Sequence, residues 1–248
     1  MSTPRWIGLL LIFYVVFLVL TAPARLASRL LPPQAEGEGY LGTVWNGRIE
    51  RFRYGTLAMG PVRWTLRPLS LLVGCLSARL QAEVTGGRLE ASISHCLSGT
   101  TEVERLQGEI PAALLTQVAG RDEVALGGRF RPEIERVLVV DAWPVVLEGA
   151  LHWRGASLLA PTSLRLGDLV ARLSVRGGRV FVDLDDESGP LDLEGELVLM
   201  RDGSWHLQGT LRARGDADEA LTQALALLGQ PDAQGRYRFE STGRLRQP

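Results

Sequence analysis

After about residue 40, the chain is dominated by short runs in which apolar and polar residues take alternate places. In ARLQAEV, Leu80, Ala82 and Val84 alternate with Gln81 and Glu83. Thr85-Gly86-Gly87 follows, and in RLEASIS the apolar residues Leu89, Ala91 and Ile93 again fall at every second position. Successive side chains of a strand point to opposite faces, so each run has one apolar face, and the glycine-bearing turn between them marks a hairpin. The pattern returns in LVARLSVR and RVFVDL around Gly177-Gly178. It returns again in PLDLEGELVL and SWHLQGTLRAR around Asp202-Gly203, where Trp205, Leu207 and Leu211 share a face. Three hairpins with one polar face each predict antiparallel sheet.

Helical spacing occurs in two places in this body. IPAALLTQVAG carries Pro111 near its start and closes at Gly120, while ADEALTQALALLG begins after Asp216 and closes at Gly229. These helices suggest an internal duplication. Gly42, Trp45 and Gly47 parallel Gly149, Trp153 and Gly155; Arg129 parallels Arg236; and Gly120 parallels Gly229, all at offsets of 107 to 109 residues. The glycine-turn hairpins match at a shorter offset of 91 residues, from Gly87 to Gly178, so one half would carry an insertion. The repeats would span 40–147 and 148–248. A single continuous sheet with recurring turn chemistry is the alternative.

The N-terminus is different. From Trp6 to Pro23 the chain reads WIGLLLIFYVVFLVLTAP, uncharged and without a polar face, with Trp6, Leu10, Phe13, Val16 and Leu20 along its length. This approaches the roughly 20 residues that cross a bilayer as a helix. Arg5 precedes the run while Arg25 and Arg29 follow it, so flanking charge does not set its orientation. Ala22-Pro23-Ala24 has the small-x-small form of a signal-peptide cleavage site, but Pro23 inside it and Arg25 directly after it disfavour cleavage. The expected organisation is an anchor over 1–24 with a cytoplasmic tip, a juxtamembrane linker over 25–39 containing the glycine-rich Glu36–Gly39, and a β-rich periplasmic domain over 40–248. Removal of the leader would export the same body. Within the linker, Leu26, Leu30 and Leu31 fall on one helical face and Arg25 and Arg29 on another, which fits a short surface-lying helix or the frayed end of the anchor. The fold class is therefore mainly β: curved antiparallel sheet with two short helices behind one transmembrane helix.

Charge removes one class of partner. With a formal net charge of -1 and both signs spread along the chain, no face is cationic enough to hold nucleic acid. Cys75 and Cys96 are the two cysteines. In an oxidising compartment they would be free to form a disulfide, and the alternative is a pair of buried small hydrophobes. Without CxxC spacing or adjacent histidines they do not make a zinc site.

Other motifs resolve into structure. Gly37, Gly39 and Gly42 satisfy G-x-G-x-x-G, yet a proline pair precedes them and a strand-like TVWNGRI follows, so the helix that would receive a pyrophosphate is missing. Asp183, Asp185, Glu187 and Glu194 match calcium-loop spacing, but Ser188 stands where the loop needs glycine. An acidic, solvated turn running into Gly189-Pro190 is the expected reading. His95, His152 and His206 each lie in or beside a strand-like run with no nucleophile motif nearby, so no catalytic residue or cofactor is assigned and an enzyme is disfavoured. Trp45, Trp64, Trp143, Trp153 and Trp205 all lie in strand-like stretches, where they would form aromatic core or line a groove for acyl chains or an apolar peptide.

Gly42, Trp45 and Gly47, followed by Trp64, Pro68, Leu72 and Gly74, form the pattern G-x-x-W-x-G and W-x-L-x-P-x-x-L-x-x-G. With LEGALHWRGA, DGSWHLQGTL and LALLGQPDAQGRYRFESTGRL, this order resembles the protein N family of the bacterial type II secretion system. The resemblance implies an accessory inner-membrane protein with its bulk in the periplasm, no catalytic residues, and other secretion subunits and inner-membrane lipid as partners. The alternative is a lipid-handling protein of AsmA type, whose curved sheet shields acyl chains in an apolar groove.

Overall fold

Residues 10, 13–14, 17–30, 35–55, 57–114, 116, 125–160 and 162–245 are described by the computed structural model. Their strands are β1 (Ala35–Gly42), β2 (Asn46–Tyr54), β3 (Leu57–Met59), β4 (Val62–Arg67), β5 (Cys75–Val84), β6 (Gly87–Cys96) and β7 (Thr101–Pro111). They continue with β8 (Ala125–Val140), β9 (Trp143–Ala160), β10 (Leu164–Arg176), β11 (Arg179–Ser188), β12 (Leu191–Leu199), β13 (Ser204–Ala213) and β14 (Tyr237–Arg244). All fourteen belong to one antiparallel sheet whose order follows the chain, except that short β3 pairs only with β2 and β2 continues to β4. It is a meander: apart from β3, each strand lies beside the one before it along this path, and among the described residues β1 and β14 are left as its two ends.

Residues directly opposite one another share a face, which lets the register be followed across the sheet. One apolar row runs Leu66, Ala78, Ile93, Val103, Val137, Leu147 from β4 to β9. Another runs Leu173, Val182, Leu197, Leu207 from β10 to β13. On the other face Arg63, Gln81, Glu90, Gln107 and Glu133 lie in line, and Arg172, Asp183, Glu196, Gln208 and Glu240 continue beyond Ala150.

Helical segments cover the apolar face toward its ends. The 3-10 helix Ala24–Leu30 sets Ala24 against Ile49 and Trp64, with Tyr40, Phe52 and Leu80 packed around them. At the C-terminal end, helix α1 (Glu219–Ala226) is capped by Asp218, whose carboxylate accepts from the Leu221 N–H. This helix lays Leu221 and Leu225 on Leu191, beside Leu166, Leu193 and Tyr237. Between these clusters Ile93, Val103, Val137, Leu147, Leu173 and Val182 are only half-buried.

The three hairpins form β5–β6, β10–β11 and β12–β13. Several expectations change. Glu36–Gly39 is part of β1, not a linker, because Glu36, Gly37 and Glu38 pair in register with Arg53, Phe52 and Arg51 of β2. Asp183, Asp185 and Glu187 lie within β11, and the turn begins only at Gly189; register with β10 and β12 places these acids on a strand. Thr43–Trp45 is the β1–β2 turn, so Trp45 is not in a strand. The C-terminal helix begins at Glu219, where Asp218 caps it. Ala113, Leu114 and Thr116 are helical, while Leu115 and 117–120 of that expected helix lie outside the described residues. The expected repeat boundary at 147 and 148 falls inside β9.

In the leader, Leu10, Phe13, Tyr14 and 17–20 are helical and exposed. Trp6 and Val16 lie outside the described residues. Among the described residues, no helix is long and apolar enough to cross a membrane.

Candidate functional site

The tryptophans are placed by backbone hydrogen bonds. Trp45, in the β1–β2 turn, donates its Nε1–H to the Val19 carbonyl at 2.7 Å, and Val44 N–H donates to Ala22 O at 2.9 Å. Trp64 in β4 donates to the Val44 carbonyl at 2.7 Å and lies over Gly47, where a Cβ would stand 2.2 Å from the indole. Gly42 closes the same turn at φ +85°. Trp45 of G-x-x-W-x-G thus joins the leader to the first strands, with Gly42 forming the turn and Gly47 leaving room for the Trp64 ring. Trp153 in β9 donates to Gly127 O at 2.9 Å and stacks on Phe130 with ring centroids 5.0 Å apart. Trp205 in β13 covers Gly243 of β14, and Trp143 at the start of β9 donates to Gly178 O at 3.1 Å. Trp45 is bonded to Val19 and Trp64 to Val44, both by the β1–β2 turn; Trp153 and Trp205 sit on strands β9 and β13, far along the sheet order, so the four do not converge on one cavity.

Cys75 and Cys96 are direct partners at the ends of β5 and β6 and are joined by a disulfide, with Cα atoms 4.0 Å apart. The link sits at the base of two connections, the 3-10 helix Pro68–Val73 and the Leu97–Gly99 turn, which are also joined by Leu97 N–H donating to Gly74 O at 2.9 Å.

The polar face is a lattice of cross-strand ion pairs. Arg154 reaches Asp168 at 3.1 Å and Glu187 at 2.9 Å, and Glu187 also meets His152 Nδ1 at 3.1 Å. The Gly155 N–H donates to Asp168 at 2.7 Å. That backbone bond, with Arg154 alongside, holds the Asp168 carboxyl below the usual carboxylate range. Further along, Arg212 pairs with Asp192 and Arg172 with Asp185, while Arg214, just past β13, reaches Asp186 at 2.7 Å. An open groove of about 900 Å³ is lined by both signs of charge, including Arg88, Glu90, Glu109, Arg131 and Glu133. Ion pairs of this kind tie neighbouring strands together in register. Among the described residues, no group of three or more His, Cys, Asp or Glu is arranged to hold a metal ion. His95, His152 and His206 lie on β6, β9 and β13; His95 meets Thr101 at 2.9 Å, and His206 lies 3.9 Å from Glu240.

Sequence reasoning missed the exposed Pro68–Val73 segment. Its only local signal is the uncharged run PLSLLVG after Arg67, which reads equally well as buried strand. It missed the ion-pair lattice too, because cross-strand partners are set by register and not by spacing along the chain.

The family model described as type II secretion system, protein N, matches residues 33–240. A type II secretion system protein N of Aeromonas hydrophila is 30% identical over 245 residues, covering 96% of this chain and 97% of that protein. The Vibrio cholerae protein of the same description is 27% identical over 250 residues, covering 97% and 99%. That of Klebsiella pneumoniae is 31% identical over 244 residues, covering 96% and 94%. No solved structure matches the chain.

Proposed function

The chain belongs to the type II secretion system protein N family, and from that premise we propose that it is an inner-membrane accessory component supporting protein secretion across the outer membrane. In this reading the apolar leader, Trp6 to Pro23, crosses the inner membrane once and the sheet stands in the periplasm. The Cys75–Cys96 disulfide supports an oxidising compartment for the body. The sheet touches other secretion subunits along its edges. The observation that carries this is topological: among the described residues β1 and β14 each pair on one side only, which leaves backbone donors and acceptors for strand addition by a partner. No chemistry is assigned to the protein.

Two measurements test this reading together. Protease added to intact spheroplasts should digest the body, and crosslinkers placed on β14 should capture other secretion subunits. A protected body, or a β14 that crosslinks to no secretion subunit, would reject it.

One observation favours a second reading. The apolar rows through Ile93, Val137, Leu147, Leu173 and Val182 are half-buried, a surface that acyl chains would cover in a lipid-handling protein of AsmA type. Phospholipid detected by mass spectrometry in gently extracted protein would favour this reading; its absence, with crosslinks to secretion subunits, favours the first.

A further inference from the structure

Connections of a meander alternate between its two ends. The β1–β2 turn, the Pro68–Val73 helix, the Leu97–Gly99 turn and the Asp141–Ala142 turn therefore fall at one end. It is the end at which the leader arrives, since Trp45 and Val44 of the β1–β2 turn hold the carbonyls of Val19 and Ala22.

Large apolar side chains stand free there. Leu69 is 77% exposed, Leu72 83%, Val73 77% and Leu97 93%, and the Pro68–Val73 helix contains no buried residue. Single exposed leucines are ordinary, but a contiguous apolar patch marks a contact surface. These four belong to two connections held together by the Cys75–Cys96 disulfide and the Leu97–Gly74 hydrogen bond, so the patch is built and fixed in place.

The next hairpin tip repeats the signal independently. Over most of β8 and β9 one face is polar, with Glu133, Arg136 and Glu148 on it. Near the Asp141–Ala142 turn that face instead carries Leu138 opposite Val146 and Val140 opposite Trp143. The alternation that separates the two faces along the middle of the hairpin is lost at this tip, and both faces become apolar.

We propose that this end of the sheet is a membrane-docking surface that seats Leu69, Leu72, Val73 and Leu97 in the headgroup and acyl boundary of a lipid bilayer. The inference rests on the reading that the leader lies in that bilayer. The chain itself argues for lipid over a protein partner: Ala22, the penultimate residue of the apolar run, is hydrogen-bonded to the β1–β2 turn, so no spacer separates the sheet from the leader. Arg67 is exposed at the start of the turn, where a lipid phosphate would meet it. Docked in this way, the sheet is tilted and oriented by two contacts, the leader and the patch.

The test uses the full chain, oxidised, in vesicles of phosphatidylethanolamine and phosphatidylglycerol. An environment-sensitive fluorophore is attached at L72C, L97C, T85C or F13C, one site per protein, with circular dichroism confirming the fold of each. Thr85 lies in the β5–β6 turn at the opposite end of the sheet and reports the aqueous baseline. Spin-labelled lipid should quench positions 72 and 97 at least about threefold more than position 85, with emission shifted to the blue. Quenching at 13 without quenching at 72 and 97 would overturn the docking surface and leave the leader in the bilayer. No quenching at 13 would remove the leader reading and this inference with it. Shielding of 72 and 97 only after secretion subunits are added would assign the patch to a protein partner and overturn the lipid proposal.

Discussion

At the scale of single residues, two contacts explain why particular side chains stand where they do. Gly47 lies beneath Trp64 so closely that a methyl group would sit 2.2 Å from the indole. Trp64 cannot move away without losing its bond to Val44 O and its place beside Ala24 and Ile49. Gly47→Ala should therefore destabilise the protein by about 1–3 kcal/mol, as overpacking does. For a chain of this size the melting temperature should fall by about 2–4 °C for each kcal/mol, read by circular dichroism. Asp168 supplies a second case. Its carboxylate takes the Gly155 N–H and pairs with Arg154, which lowers its folded-state pKa. A lowered pKa contributes stability that is present above the unfolded value of about 3.9 and is lost as pH falls through the folded one. The gap in urea midpoint between the wild type and Asp168→Asn should be steady from about pH 7 to 5 and close below about pH 4. A gap that persists at low pH would mean that the amide substitution acts through packing. The Gly47–Trp64 spacing was visible in the sequence as a motif, but its cause, a ring lying across the neighbouring strand, needed the β2–β4 register. Nothing in the sequence linked Asp168 to residues 154 and 155.

Among the elements, what the sequence made legible was local. The three glycine-turn hairpins are read from alternation and turn chemistry carried within about twenty-five residues each. β7, β8 and β9 were harder, because register shifts near Glu90, Gly127, Ile134 and Leu138 break the period of two that alternation depends on. Glycine-rich β1 was mistaken for a linker because glycine carries no side chain to show alternation. The best-defined joint between elements is the Cys75–Cys96 link, which closes a chain separation of 21 residues between β5 and β6. Chain entropy alone assigns such a closure about 3 kcal/mol. Since its ends already meet in a hairpin, the measured loss on reduction should be at or below that value. Reduction should shift the urea midpoint and leave the far-ultraviolet spectrum unchanged under native conditions. A collapse of β signal on reduction would show that the hairpin depends on the bond.

For the whole molecule, the sequence announced antiparallel sheet without announcing one sheet. Hairpins fix pairing inside themselves; how one hairpin joins the next depends on pairings such as β7–β8 and β9–β10 that no local pattern names. The result is a sheet in which each strand from β4 to β13 depends only on its two neighbours. Stability in such an arrangement is distributed along one dimension, much as in repeat proteins, and so it should be uneven. β8, β9 and β10 are the longest strands, at 16, 18 and 13 residues, and pair with each other over most of their length. β14 has eight residues and a neighbour on one side. Opening the centre breaks two long ladders, while opening the edge breaks one short ladder. Native-state hydrogen exchange should therefore find the slowest amides in β8 to β10 and faster ones in β14, with β12 and β13 between. Helix α1 modifies the gradient, since Leu221 and Leu225 pack on Leu191 of β12 and should slow that strand beyond its length. Uniform protection from β4 to β14 would show that the sheet opens as a single unit, and the neighbour-only account of its stability would then fail.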